Sequence, residues 1–86
     1  MRALVVGFGA AGQRHARLLQ GLGCDTAIVS RRPVAHPQRF ANLAEALDAW
    51  QPGYVVLANR TAEHREALLM LAETGFSGRV LVEKPL

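Results

Sequence analysis

The chain is poor in cysteine, in lysine and in aromatic rings, and each scarcity excludes something. Cys24 is the only cysteine, so no internal disulfide can form and no thiolate cluster can hold a metal. A reducing setting, the cytoplasm, is the expected one. Tryptophan and tyrosine occur once each and phenylalanine three times, and these rings do not interleave with basic residues as a surface for stacking bases requires. Long hydrophobic runs are missing as well. Runs such as 55–58 fall far short of the ~20 residues that cross a bilayer, so no membrane partner is expected. The run Ala3-Leu4-Val5-Val6 ends at once in glycine and is too short for a secretory leader, so no export is expected either.

What is present is 86 residues, 50% of them hydrophobic. That proportion excludes a disordered chain and suffices for one domain or part of one. Ten basic residues against seven acidic ones give a net charge of +3. The basic residues are nine arginines and Lys84, scattered along the chain, so no continuous footprint for a nucleic-acid backbone results.

Four short apolar runs, 3–6, 26–29, 54–58 and 80–82, are continuous rather than alternating, as strands buried on both faces of a parallel sheet are. Helical stripes separate them. Ala11, His15, Leu18, Leu19 and Leu22 form the first, stopped by Gly21 and Gly23. Leu43, Ala46, Leu47 and Trp50 form the second, with Asn42 as N-cap and Glu45 completing a capping box. His64, Leu68, Leu71 and Ala72 form the third, with Thr61 able to cap its start and Gly75 placed to end it in a left-handed conformation. Residues 31–41, with Pro33 and Pro37, read as a loop. The βαβαβαβ alternation implies an α/β fold, a Rossmann-type doubly wound parallel sheet of order 3-2-1-4.

Between the first run and the first helix, Gly7, Gly9 and Gly12 match G-x-G-x-x-G. In a strand-turn-helix context this spacing marks a dinucleotide site. Gly7 permits the tight turn, Gly9 lets the backbone approach a pyrophosphate, and Gly12 lets the helix pack on the strand. The backbone of Phe8, Ala10 and Ala11 completes the cradle, and the helix start supplies N–H groups and positive dipole. A kinase-type glycine loop would need a hairpin here, which the helix denies.

The residue closing the second strand meets the adenosine ribose in this fold, and an acid there would bind both ribose hydroxyls. Here the run ends in Ser30-Arg31-Arg32, with no acid in this segment after Asp25. A hydroxyl beside guanidinium groups suits a 2′-phosphate, so NADP(H) is favoured over NAD(H). Asn59, Arg60 and Thr61 follow the third run and border the cofactor, Arg60 within reach of a phosphate or ribose. His15 and His64 fall on inward stripes, where a packed, hydrogen-bonded histidine is the simpler reading; His64 is also a candidate for the cofactor's border. His36, in the loop, reads as solvated.

The N-terminal glycine motif, the helix beginning Gln13-Arg14-His15, the helix carrying His64 and the tripeptide Glu83-Lys84-Pro85 together resemble the glucose-fructose oxidoreductase / inositol dehydrogenase / rhizopine catabolism (Gfo/Idh/MocA) family, over essentially the whole chain. The resemblance implies an NAD(P)-dependent oxidoreductase transferring hydride to or from a sugar, polyol or related compound. It implies that Lys84 is the catalytic residue, beside nicotinamide and substrate, and that Glu83 contacts the cofactor side. A lysine there can stabilise charge developing on a carbonyl oxygen. Enzymes of the family have a longer dinucleotide-binding half and then a large substrate domain. Residues 1–86 therefore read as the N-terminal part of a dinucleotide-binding domain, inactive alone, with the substrate domain absent and the last strand's edge open to association, homo-oligomers included. A non-catalytic dinucleotide-sensing module is the alternative, and it would have no need of Lys84.

Overall fold

The computed structural model describes residues 1–83. Among them, strands and helices follow the order β1 (Arg2–Val6), α1 (Ala10–Gly21), β2 (Asp25–Val29), β3 (Arg39–Phe40), α2 (Leu43–Trp50), β4 (Tyr54–Leu57), α3 (Thr61–Glu73) and β5 (Arg79–Val82). The strands form one sheet of order β3-β2-β1-β4-β5 in which every pairing is parallel. This is a Rossmann-like, doubly wound α/β arrangement, as the alternation of runs and stripes predicts.

One strand lies where a loop was expected. Arg39–Phe40 pairs with Ile28 and Val29, held by bonds from the Ile28 N–H to the Gln38 carbonyl and from the Ser30 N–H to the Phe40 carbonyl, each 3.0 Å. It therefore fills the place beside β2, and Tyr54–Leu57, third among the apolar runs, lies on the other side of β1 as β4. A two-residue strand carries no periodicity to read, which is why residues 31–41 look like loop alone.

Successive strand residues face opposite sides of the sheet. Leu4, Val6, Ala27, Val29, Val55 and Leu57 pack under α2 and α3, while Ala3, Val5, Ile28 and Val56 pack under α1. The inward faces of two helices differ from the expected stripes. Helix α1 buries Gly12, Ala16 and Leu19, leaving Leu18 59% and Leu22 80% exposed. Helix α3 buries His64, Ala67 and Leu71 and leaves Leu68 exposed. The cause in α1 is steric: the face carrying Gly12 is the one that can approach the β1 turn, and Ala16 and Leu19 follow it at helical spacing. Counting apolar residues favours the leucines; close approach favours the small ones.

Helix ends follow local chemistry. The Asn42 side chain accepts from the Glu45 N–H at 2.8 Å and caps α2. Helix α3 ends as expected on Gly75 at φ +73°, with the Gly75 N–H bonded to the Ala72 carbonyl and the Phe76 N–H to the Leu71 carbonyl. Its start differs by one residue, since Arg60 occupies the N-cap position and Thr61 is the first helical residue. The Trp50 indole N–H donates to the Ala3 carbonyl at 2.9 Å and ties the end of α2 to β1.

Strand β5 departs from the expectation of burial on both faces. Val80, Leu81 and Val82 are 37%, 39% and 41% exposed, because β5 is the sheet's outer strand and no helix among the described residues covers it. Among the described residues, no helix is long and apolar enough to cross a membrane.

Removing the α2 cap tests this account of the helix. Asn42→Ala should cost about 1 kcal/mol, and in a domain of this size thermal unfolding followed by circular dichroism should shift down by roughly 4–8 °C. Asn42→Asp, which retains a capping oxygen, should unfold within a degree or two of the parent.

Candidate functional site at the C-terminal edge of the sheet

Strand register brings four turns level. Val6 pairs with Val29 and with Leu57, and Leu57 pairs with Val82. The ladder continues one residue further: the Gly7 N–H donates to the Val29 carbonyl, the Ala58 N–H to the Val6 carbonyl and the Glu83 N–H to the Leu57 carbonyl, each at 2.9 Å. Gly7, Ser30, Ala58 and Glu83 thus stand side by side at the edge where parallel sheets bind ligands. A cavity of about 770 Å³ opens there, walled by the glycine turn, the end of β2, the turn after β4 and the facing sides of α2 and α3.

The three glycines of the turn differ in what the fold asks of them. Gly7 has φ +95°, and a Cβ there would lie 2.8 Å from the Asn59 backbone. A Cβ on Gly12 would fall on the Gly7 carbonyl. Both positions exclude a side chain for internal reasons. Gly9 does not: its φ of −75° and ψ of −164° are ordinary extended values, and a Cβ would meet no atom within 4 Å. Gly9 is moreover the N-cap of α1, where Ser, Asp or Asn would satisfy an N–H, yet no side chain caps this helix and its first turn holds no acid. The leading N–H groups of α1 have no intrahelical acceptor, and Ala10 and Ala11, which carry two of them, are not buried.

At the end of β2, Ser30 is half-buried and its Oγ accepts from the Arg32 N–H at 3.2 Å, which turns the chain across the cavity. The Arg32 carbonyl accepts from Arg39 Nε at 3.1 Å, so the strand absent from the sequence reading steadies this turn. Arg31 is exposed and its guanidinium donates to Glu63 Oε2. Phe8 lines the cavity and meets the His36 ring edge to face at 5.9 Å, so His36 is partly covered rather than solvated.

After β4, Asn59 and Arg60 line the cavity. Asn59 Oδ1 is buried with no partner among the described residues, an acceptor whose burial costs about 1–3 kcal/mol while it stays unmatched. His64 stands behind this turn and not in the cavity wall: it is buried, and its Nε2 lies 2.9 Å from the Asn59 carbonyl. Glu83 pairs with His15 of α1, tying the end of β5 to the helix that starts at the glycine turn. Lys84 and Pro85 lie outside the described residues.

Sequence reasoning missed the contribution of the helix flanks. Glu63 and Glu66 of α3 and Asn42 of α2 also line the cavity. The signal available for Glu63 was its spacing from Arg60, one helical turn into a helix that begins at the ligand edge. Comparisons with protein-family models, with curated proteins and with solved structures return no match for this chain. The chemistry of the edge is therefore read from its own residues.

These glycine environments predict opposite outcomes for two small substitutions. Gly12→Ala should destabilise by about 1–3 kcal/mol through overpacking, visible as a clear drop in the denaturant midpoint. Gly9→Ser supplies the missing cap, so its midpoint should match or slightly exceed that of the parent, by a few tenths of a kcal/mol.

Proposed function

We propose that the C-terminal edge of the sheet binds a nicotinamide dinucleotide, NADP(H) in preference to NAD(H), and that the chain is the cofactor-binding part of an oxidoreductase acting on a sugar, polyol or related hydroxyl or carbonyl compound. The observation that carries this reading is Gly9, a residue the fold would replace by a capping side chain. Glycine there forgoes a helix cap and keeps open the space over the α1 N-terminus. A pyrophosphate uses that space: its oxygens take the exposed N–H groups and the positive end of the helix dipole.

The other residues divide the remaining work. Ser30, Arg31 and Arg32 suit the ribose with its 2′-phosphate, because guanidinium groups bind phosphate by paired, charge-assisted bonds and β2 itself ends in a hydroxyl rather than an acid. Asn59 offers its unmatched acceptor to a hydroxyl donor, and Arg60 offers a further cation. The bound nicotinamide supplies hydride acceptance or donation. Lys84 follows directly on Glu83, whose backbone is bonded to β4 and whose side chain is bonded to α1. The resemblance to the Gfo/Idh/MocA family supports giving Lys84 the catalytic role, and a reducing cytoplasm suits the lone thiol of Cys24.

Nucleotide titration of this chain tests the reading. NADPH should bind more tightly than NADH, and Gly9→Val should retain the circular dichroism spectrum while weakening both by about tenfold or more, ~1.4 kcal/mol. Ser30→Asp combined with Arg31→Ala should reverse the preference. Unchanged binding in Gly9→Val would sink the pyrophosphate assignment. In a version carrying a substrate domain, hydride transfer that survives Lys84→Ala would remove the catalytic one.

A further inference from the structure

Resting on the dinucleotide reading, we propose that Glu63 sets the strength of the 2′-phosphate preference, because its carboxylate already holds the Arg31 guanidinium that the phosphate must capture. The two residues are 32 positions apart, one beyond the end of β2 and the other in the first turn of α3, and their side chains meet at 2.5 Å. Both line the same cavity. The pair therefore spans the mouth of the site, on the side where the ribose-facing residues Ser30 and Arg32 stand.

The partners are unequal. Arg31 is 83% exposed at its side chain and Glu63 33%, and Glu63 has the advantage of a carboxylate in the first turn of α3, where the macrodipole favours negative charge. Glu63 is the anchored member and Arg31 the one free to swing. The Glu63 carboxylate takes one bond from Arg31 Nη2 and offsets the guanidinium's charge. A 2′-phosphate therefore competes with the carboxylate for Arg31, and the carboxylate stands near the phosphate as a like charge. An unphosphorylated ribose makes no such demand. Glu63 consequently lowers affinity for the phosphorylated cofactor and leaves the other untouched, which narrows the discrimination between them.

Glu66 supplies an internal control. It lines the same cavity one turn along α3 without a bond to Arg31, so Glu66→Gln removes an equal charge from the lining but does not release the guanidinium.

The experiment measures dissociation constants of NADPH, NADH and 2′,5′-ADP by calorimetry for the parent chain, Glu63→Gln, Glu66→Gln, Arg31→Ala and Arg31→Ala/Glu63→Gln. Glu63→Gln should tighten NADPH and 2′,5′-ADP by about two- to fivefold, the range of an exposed ion pair, with NADH unchanged. The gain should vanish in the Arg31→Ala background and shrink at high ionic strength. Equal tightening in Glu66→Gln would show bulk charge at work and overturn the role of the pair. Weaker NADH binding in Glu63→Gln would also overturn it, by making Glu63 an acceptor for ribose hydroxyls. A parent chain that binds NADPH but whose Glu63→Gln variant binds it no better refutes the Glu63 inference alone. A parent chain that binds none of the three ligands refutes the dinucleotide reading and the inference with it. Glu63→Gln changes an exposed pair, and a melting temperature within a few degrees of the parent certifies that the comparison is between folded proteins.

Discussion

Gly12 approaches the carbonyl of Gly7 so closely that no Cβ fits between them, and Gly7 in turn lies against the backbone of Asn59. Through these two approaches β1, α1 and the turn after β4 meet with only backbone at the junction. The rotation of α1 follows from it, since the side bearing Gly12 must face inward, and Ala16 and Leu19 go with it into the core. The level alignment of the turns is part of the same constraint, because a side chain on Gly7 would push the Asn59 turn away from β1. Without that contact the cavity at the edge would have no continuous wall.

At this edge the fold sets aside rules it keeps elsewhere. Helix α2 has a side-chain cap, whereas α1 has none, and its cap position is a glycine with open space around it. Buried polar atoms ordinarily find partners, whereas Asn59 Oδ1 has none among the described residues. Arginines cluster at the mouth, one of them held by a glutamate from another element. Departures from local optimality that gather in one place mark this edge as the candidate site, since local rules are set aside more often at functional sites than elsewhere.

Much of this was readable from particular residues. Asn42 three positions before Glu45, and Gly75 just past an apolar stripe, mark helix ends because capping depends on bonds within a few residues. The glycine spacing, followed by a helix and preceded by a β-branched run, marks the turn for the same reason. The residues that escaped are those whose role depends on a distant partner. Arg39–Phe40 is a strand only because β2 lies alongside it. Leu18 and Leu22 look like core until Gly12 determines which side of α1 faces the sheet. His64 reads as a packed, hydrogen-bonded histidine, but that its partner is the Asn59 carbonyl shows only in the fold.

The amino-acid sequence by itself determined the alternation of strand and helix, the parallel doubly wound sheet, the glycine turn and the arginines after β2, because each depends on neighbours in the chain and on the chirality of crossover connections. The tertiary structure alone decided which helix faces are buried, that the faces of β5 are exposed, that His15 meets Glu83 across 68 positions and that Arg31 is held by Glu63. Those outcomes depend on how closely two backbones approach and on which charges the approach brings into reach, and neither distance is written in the order of the residues.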